Sequence, residues 1–278
     1  MAQRKKAPQS SALNKRQRFW LNVIARCGYV AKAVVYAIAG YVAVLYAFKL
    51  HKGAEGSSAA LLTVRAQRDG TILLAILAAG LAAYAVWRIA QAVYDTDRRG
   101  SGIGGLAIRA GSVFVGLGYA GLTFSAVRLL LGGRGTSDDA QAQSWTAALL
   151  AQPFGRWLVA AIGAGFFIAG LWGIFNTLRP RFLHELDLKK MSSWIRKVAI
   201  RLGQAGRAAL GLVNSVIGIF LLEAASRGDA REARGVTGAL RLLDRRFGRW
   251  LVGIIGVGLL AYALYLMLLI VYRRAVKR

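Results

Sequence analysis

The sequence predicts an all-α membrane protein with six transmembrane helices, and three observations carry this prediction. Of the 278 residues, 56% are hydrophobic and only 18% are charged. The charges bunch between runs of about 20 nearly uncharged residues, the length that a helix needs to cross a hydrocarbon layer of ~30 Å. The hexapeptide Phe-Gly-Arg-Trp-Leu-Val occurs at residues 154–159 and again at 247–252, each time at the start of an apolar run. An identical segment in the same context indicates an internal repeat.

The six apolar runs pair into three tandem repeats. They lie near 28–48, 71–94, 107–131, 157–178, 203–225 and 250–272. We assign repeat 1 to 24–94, repeat 2 to 107–178 and repeat 3 to 199–272, with linkers 95–106 and 179–198, a basic flexible tail 1–23 and a basic C-terminus 273–278. A mildly amphipathic stretch precedes each second helix, near 57–67, 140–151 and 235–244. Each stretch either lies flat at the membrane interface or forms an ordinary connecting helix.

Glycines and aromatic residues align the repeats. In the second helices Gly80, Gly165 and Gly258 align, and Trp87, Trp172 and Tyr265 follow seven residues later. In the first helices, residues four apart form one stripe, which we align as Gly28, Lys32, Tyr36 and Gly40, then Gly111, Val115, Tyr119 and Thr123, then Gly203, Arg207, Gly211 and Ser215. Small residues at this spacing let helix backbones approach closely. We therefore expect the three first helices to meet around a pseudo-three-fold axis.

The alignment puts two cations inside apolar helices. Lys32 and Arg207 fall at the same place in two repeats, about one and a half turns past a boundary arginine. A cation costs ~2.5–3.5 kcal/mol at the bilayer centre and less near the surface. In one interpretation, the long side chains snorkel to the surface. In the other, they form an anion site for a phospholipid headgroup or a small permeating anion, with Arg88 on the same side.

Basic residues predict the orientation. The N-terminus, the loops 95–109 and 179–201 and the C-terminus together hold 21 Lys and Arg, and the opposite loops hold 14. The positive-inside tendency therefore places both termini in the cytoplasm of an inner (plasma) membrane. The loop 227–249 opposes this assignment, because its seven arginines would face outward.

Three segments resemble a known family. They are Arg-Cys-Gly-Tyr-Val-Ala-Lys-Ala-Val-Val-Tyr at 26–36, Gly-Leu-Ala-Ala-Tyr at 80–84 and Ala-Gln-Pro-Phe-Gly-Arg at 151–156. The pattern resembles a bacterial family of unknown function in which a pair of transmembrane helices occurs three times. The family pattern leads us to expect glycine where this chain has Ala33 and Ala208, whereas Gly116 keeps it. The resemblance implies a bacterial inner-membrane protein and no activity.

No residue set predicts a reaction, a cofactor or a metal site. The Gly-x-Gly-x-x-Gly match at 100–105 follows a membrane helix rather than a strand, so it does not indicate a dinucleotide site. With two histidines and one cysteine, the usual metal-ligand spacings are absent from the sequence. The net charge of +26 flanks the spans, where anionic lipid is the expected partner rather than nucleic acid. We expect a non-enzymatic membrane protein that contacts anionic lipids and has a possible scaffold role. The alternative is a small-solute or anion channel or transporter.

Overall fold

Nine α-helices account for most of the chain in the computed structural model, which describes residues 15–50, 56–94, 102–133, 135–177 and 191–272. They are α1 (Lys15–Ala47), α2 (Ser57–Arg65), α3 (Gly70–Tyr94), α4 (Ile103–Leu130), α5 (Asp138–Leu150), α6 (Gly155–Phe175), α7 (Ser193–Arg227), α8 (Val236–Phe247) and α9 (Arg249–Tyr272), with a short 3₁₀ helix at Ala230–Glu232. Six of them, α1, α3, α4, α6, α7 and α9, are long and apolar enough to cross a membrane. This confirms the all-α fold class with six membrane-length helices.

Two helices begin earlier than the apolar runs suggest. Helix α1 starts at Lys15, inside the predicted flexible tail, and α7 starts at Ser193, inside the predicted linker. Hydropathy marks only the apolar part of a helix, whereas polar turns continue the same helix beyond it. The rest of the tail, most of both linkers and the C-terminus (1–14, 95–101, 178–190 and 273–278) lie outside the described residues.

Local sequence signals set several helix ends. Ser137 caps α5 by accepting a hydrogen bond from the amide of Ala140 at 3.1 Å, and Ser192 caps α7 in the same way. Gly228 ends α7 with φ of +67°, the left-handed conformation that favours glycine. The short helices α2, α5 and α8 lie where the amphipathic stretches occur, each directly before the second long helix of its pair.

The long helices pack in the order α4, α3, α1, α9, α7, α6. The closest packing joins the second helix of one pair to the first helix of another: α3 with α4, α6 with α7, and α9 with α1. Within pairs, α1 packs on α3 and α7 packs on α9. Across the described residues, α4 and α6 form no comparable contact, so the second pair is held together through its neighbours.

The glycine stripes contact second helices rather than one another. A Cβ added at Gly40 would lie 2.7 Å from the carbonyl oxygen of Gly256 on α9, and one at Gly211 would lie 2.7 Å from that of Gly170 on α6. Gly111 has nothing within 4 Å. The expectation that the stripes bring the three first helices together is therefore wrong. Bulky side chains would hold two backbones apart. Close packing therefore needs small residues on the second helix opposite the glycines of the first helix.

The packing also corrects the alignment of the third repeat. Gly28 lies against the backbone of Tyr84, and Gly206 lies in the same way against the backbone of Tyr262. Twelve residues further along each helix, Gly40 faces α9 and Gly218 faces α6. Gly206, not Gly203, is therefore the equivalent of Gly28, and Gly203 is simply a buried glycine of α7.

This register separates the two cations that the sequence pairs. Lys32 lies four residues after Gly28, and the corresponding residue after Gly206 is Leu210. Arg207 corresponds to Tyr29 instead. The same register makes Gly211, not Ala208, the equivalent of Ala33 and Gly116. The third repeat therefore has the glycine that the family pattern leads us to expect at this position.

Candidate functional site

Lys32 is the centre of the candidate site because it is a cation enclosed within apolar helices. Its side chain is only 8% exposed. Four tyrosine rings surround the ammonium group, with Nζ-to-centroid distances of 5.0 to 5.7 Å. They are Tyr36 of α1, Tyr84 of α3, Tyr119 of α4 and Tyr262 of α9. We call these four residues the tyrosine cage.

The cage stabilises the ammonium in two ways. Lys32 Nζ donates hydrogen bonds to the hydroxyl of Tyr84 at 3.0 Å and to that of Tyr262 at 3.4 Å. The electron-rich ring faces add cation–π attraction, which strengthens where water is excluded. Together these contacts replace part of the hydration that a buried ammonium loses.

The cage is held by contacts among its own members. The Tyr119 hydroxyl donates to the Tyr36 hydroxyl at 3.3 Å, which joins two first helices whose backbones stay apart. Edge-to-face contacts join Tyr84 with Tyr119 at 4.6 Å and Tyr36 with Tyr262 at 5.2 Å between centroids. Contacts between α1 and α4, between α3 and α4, and between α1 and α9 therefore fix the rings around Lys32.

Repeat-equivalent residues build the cage. Tyr84 and Tyr262 each lie four residues after the aligned glycines Gly80 and Gly258, and Tyr36 and Tyr119 are equivalent in the first two repeats. The lysine itself is unique to repeat 1, since Val115 and Leu210 stand at its place elsewhere.

Two arginines extend the positive charge on either side of the cage. Arg88 of α3 lies over the Tyr84 ring at 5.9 Å, and its Nη1 donates to Gln91 Oε1 at 3.0 Å. Arg207 of α7 lies over the Tyr265 ring at 5.7 Å. Tyr265 in turn stacks on Tyr262 of the cage, with 6.2 Å between centroids. A row of cations and rings therefore runs from Arg88 on α3 through Lys32 on α1 and the two tyrosines of α9 to Arg207 on α7. We call Lys32, Arg88 and Arg207 the cationic centre.

Both arginines lie nearer than Lys32 to the end of the bundle where α1 begins. Arg88 comes four residues after Tyr84 on a helix that runs opposite to α1, and Arg207 is the equivalent of Tyr29, three residues before Lys32. Both arginines are half-buried, whereas Lys32 is enclosed.

Among the described helices, no carboxylate lies beside this charge. Within the described membrane-length segments, the only acidic residue is Glu223, near the far end of α7. Its Oε1 lies 2.7 Å from Arg227 in an ion pair. In the part of the chain that the structure describes, the cationic centre is lined by phenol rings and hydroxyls, which carry no formal charge.

The structure links the predicted cations only through aromatic rings, and it changes the role of Lys32. The tyrosine cage holds its ammonium inside the helix bundle, so Lys32 does not snorkel to the surface. Sequence reasoning missed Tyr84 and Tyr262 as partners, although their matching positions after Gly80 and Gly258 were visible. Of the stripe residues, Tyr36 and Tyr119 join the cage, while Gly28 and Gly40 position α1.

A second polar cluster joins the starts of the three short helices at the other end of the molecule. Asp138 at the start of α5 accepts hydrogen bonds from the Ser58 hydroxyl at 2.6 Å and from the Thr237 hydroxyl at 3.2 Å. The Ser58 amide adds a third bond at 3.2 Å. Burial raises the pKa of the Asp138 carboxyl, and the Ser58 and Thr237 hydrogen bonds oppose that rise.

The raised pKa of Asp138 predicts a pH dependence of stability. The folded protein takes up this proton at a higher pH than the unfolded chain, so the contribution favours folding as the pH falls. We expect the free energy of unfolding to increase as the pH falls from 7 through the raised pKa of Asp138. The increase should be complete near pH 3.8, the ordinary pKa of an aspartate. Asp138→Asn should remove that increment. Equal pH slopes for the two proteins in detergent unfolding titrations would contradict the assignment.

Metal binding has no support in the described part of the chain. No group of three or more His, Cys, Asp or Glu side chains comes together there. The polar groups of the cationic centre are ammonium, guanidinium and phenol, which suit an anion rather than a cation.

The fold and the site define a polytopic helical membrane protein built from a repeated helix pair around a buried cationic centre. The repeats align with a known family. The chain belongs to the family described as Domain of Unknown Function (DUF1206), which matches residues 27–95, 110–179 and 205–273. The resemblance drawn from the sequence is thereby confirmed. The matched segments begin at 27 and 205, which is the register given by Gly28 and Gly206.

One relative matches over nearly the whole chain. It is the Uncharacterized protein YxxB of Bacillus subtilis (strain 168), 32% identical over 265 residues, which cover 95% of each chain. No solved structure matches the chain.

Proposed function

We propose that this protein is a non-enzymatic integral protein of the bacterial inner membrane whose cationic centre binds the anionic headgroup of a membrane lipid. The observation that carries the proposal is the enclosure of Lys32 by tyrosines between two half-buried arginines, without a described carboxylate among the surrounding helices. Three cations at this depth repel one another, and an anion from the membrane relieves that repulsion.

The two arginines provide the contact with the headgroup. Arg88 and Arg207 are half-buried rather than enclosed, and the proposal requires a phosphate oxygen to reach their terminal Nη groups. A guanidinium group offers a planar fork of donors that matches phosphate geometry. Lys32 does not touch the headgroup in this arrangement; its enclosed charge adds a long-range attraction that the low dielectric of the bundle preserves.

The orientation that we propose places this centre near the cytoplasmic surface. The larger number of Lys and Arg residues flanks the ends of the spans where α1 begins, and an even number of spans puts both termini on that side. The cytoplasmic leaflet carries a negative surface potential from anionic lipids, which attracts basic groups near the surface.

Lipid retention by Arg207→Gln tests this proposal. In protein purified from vesicles that mix phosphatidylglycerol with phosphatidylcholine, we expect native mass spectrometry to show phosphatidylglycerol bound to the wild type. The substitution should weaken that retention about tenfold, because a charge-assisted hydrogen bond contributes ~1.5–3 kcal/mol. The matched control is Arg201→Gln, an exposed arginine of the same helix, which should retain the lipid as the wild type does.

Equal loss in both variants, or equal retention in both, would refute a headgroup site at the cationic centre.

A chloride flux through reconstituted vesicles that disappears in Lys32→Met would instead favour the anion channel. Reporter fusions at Ser10 and in the 227–249 loop test the orientation, and a cytoplasmic position of that loop would overturn it.

A further inference from the structure

We propose that four arginines at the opposite end of the molecule form a second anion site, which takes a phosphate group. They are Arg231 of the 3₁₀ helix, Arg234 in the segment after it, and Arg241 and Arg245 of α8. They line a cavity of about 190 Å³ together with Asp139 and Gln143 of α5. A water molecule occupies ~30 Å³ in the liquid, so the cavity is several times that size.

The local fold directs these side chains toward one place. Arg241 and Arg245 are four residues apart, so they lie on one face of α8. Gln143 Nε2 donates to the carbonyl oxygen of Arg231 at 3.2 Å, which holds the 3₁₀ helix against α5. The Arg234 guanidinium lies over the Phe220 ring at 5.4 Å, a contact that helps to hold it at the cavity.

In the described part of the chain, no acidic residue forms an ion pair with the four arginines, although Asp229 accepts from the Arg231 amide at 2.8 Å. Both Glu223 and Glu232 bind Arg227, a neighbouring arginine that does not line the cavity. Asp139 is the one acid in the lining, and its Oδ1 already accepts hydrogen bonds from the amides of Gly235 and Gly238 at 2.9 Å each. Among the residues that the structure describes, the lining therefore carries four positive charges against one negative charge.

This site is separate from the cationic centre. Lys32 lies near the beginning of the α1 membrane segment, whereas Tyr46, near the end of α1, donates to Asp244 of α8 at 2.7 Å. The two sites are thus at opposite ends of the helices, and substitutions at one leave the other intact. The site also gives a physical reason for four of the seven arginines of the 227–249 loop, which oppose the positive-inside tendency.

The ligand chemistry is a phosphate group, because converging guanidinium forks bind its oxygens through paired hydrogen bonds. Two sources could supply it, a free phosphate ion or the phosphate of a lipid headgroup. The test uses full-length protein in two kinds of nanodisc. One arm titrates phosphatidylcholine nanodiscs with inorganic phosphate. The other uses nanodiscs that contain phosphatidylglycerol, in buffer without inorganic phosphate, and compares them with phosphatidylcholine nanodiscs in the same buffer. The thermal unfolding midpoint is measured in both, since a ligand that binds only the folded state raises it.

We expect a rise in at least one arm that Arg241→Gln with Arg245→Gln abolishes. In the phosphate arm, the concentration at half-saturation should increase about tenfold or more in this double variant. The control is Arg196→Gln with Arg246→Gln, which removes the same charge from exposed positions outside the cavity and should keep the rise.

A dependence on Arg241 and Arg245 in the phosphate arm alone identifies a free anion, and one in the phosphatidylglycerol arm alone identifies a headgroup. No rise in either arm, or a rise that both double variants lose equally, overturns the second site. If the phosphatidylglycerol arm identifies a headgroup, the Arg207 comparison is made in the Arg241→Gln, Arg245→Gln background, so that lipid bound at this second site is not counted.

Discussion

Replacing Gly218 with alanine should lower the free energy of unfolding by about 3 kcal/mol, near the upper end of the cost of overpacking a close contact. The added Cβ would lie 2.5 Å from the amide nitrogen of Phe167 and 2.8 Å from the carbonyl oxygen of Gly163. Both are backbone atoms of α6, so no side chain can rotate away to make room. Helices α6 and α7 must separate instead, and this is the most extensive packing between long helices in the described protein.

Gly165→Ala is the matched control on the facing helix. Nothing lies within 4 Å of a Cβ at Gly165, two residues from Gly163. Alanine has the higher helix propensity, so this change should leave stability within about 1 kcal/mol of the wild type or raise it slightly. Reversible unfolding in mixed detergent micelles measures both variants. Similar losses for Gly218→Ala and Gly165→Ala would mean that the α6–α7 crossing is looser than the structure shows.

The membrane-length helices could be predicted from the sequence because their signal is local. A run of about 20 apolar residues between charges has one physical reading, and its length alone gives the span. Helix ends were less accurate, since the polar turns of α1 before Arg26 and of α7 before Gly203 carry no hydropathy signal although they continue the helices.

The register of the third repeat could not be predicted from short motifs. Arg201 and Gly203 reproduce the spacing of Arg26 and Gly28, but a glycine two residues after an arginine is a weak signal in a chain with 33 glycines. What decides the register is which glycine faces the neighbouring helix. Gly206 does so against Tyr262, and that contact is set by the packing of two helices rather than by the sequence of either one.

The tyrosine cage was beyond sequence reasoning for a related reason. Lys32 was conspicuous as a cation in an apolar run, but its partners come from four helices spread over the chain. The sequence pairs each first helix with the second helix that follows it, whereas α9 of repeat 3 packs on α1 of repeat 1. Without that neighbour, Tyr262 cannot be placed beside Lys32.

Replacing Tyr84 with phenylalanine should lower the free energy of unfolding by about 2 kcal/mol, within the range for a hydrogen bond to a charged group. The change removes the hydroxyl that accepts from Lys32 Nζ at 3.0 Å and leaves a buried ammonium with one longer bond, to Tyr262 at 3.4 Å. The ring and its cation–π contact remain, so the loss reports the removal of the hydroxyl. Unfolding titrations in mixed micelles measure it, with Tyr41→Phe on the exposed face of α1 as the control that should change little.

Lys32→Met decides whether that loss comes from the buried charge. Methionine keeps a long apolar stem and removes the ammonium, and replacing a buried charge by an apolar residue of similar volume is often neutral or stabilising. In the Lys32→Met background, Tyr84→Phe should therefore cost less than about 1 kcal/mol, because no charged donor is left without its acceptor. If the tyrosine substitution costs the same in both backgrounds, the cage is a packing feature and its hydroxyls do not stabilise the cation. If Lys32→Met itself unfolds the protein, the ammonium is a structural requirement rather than a tolerated charge.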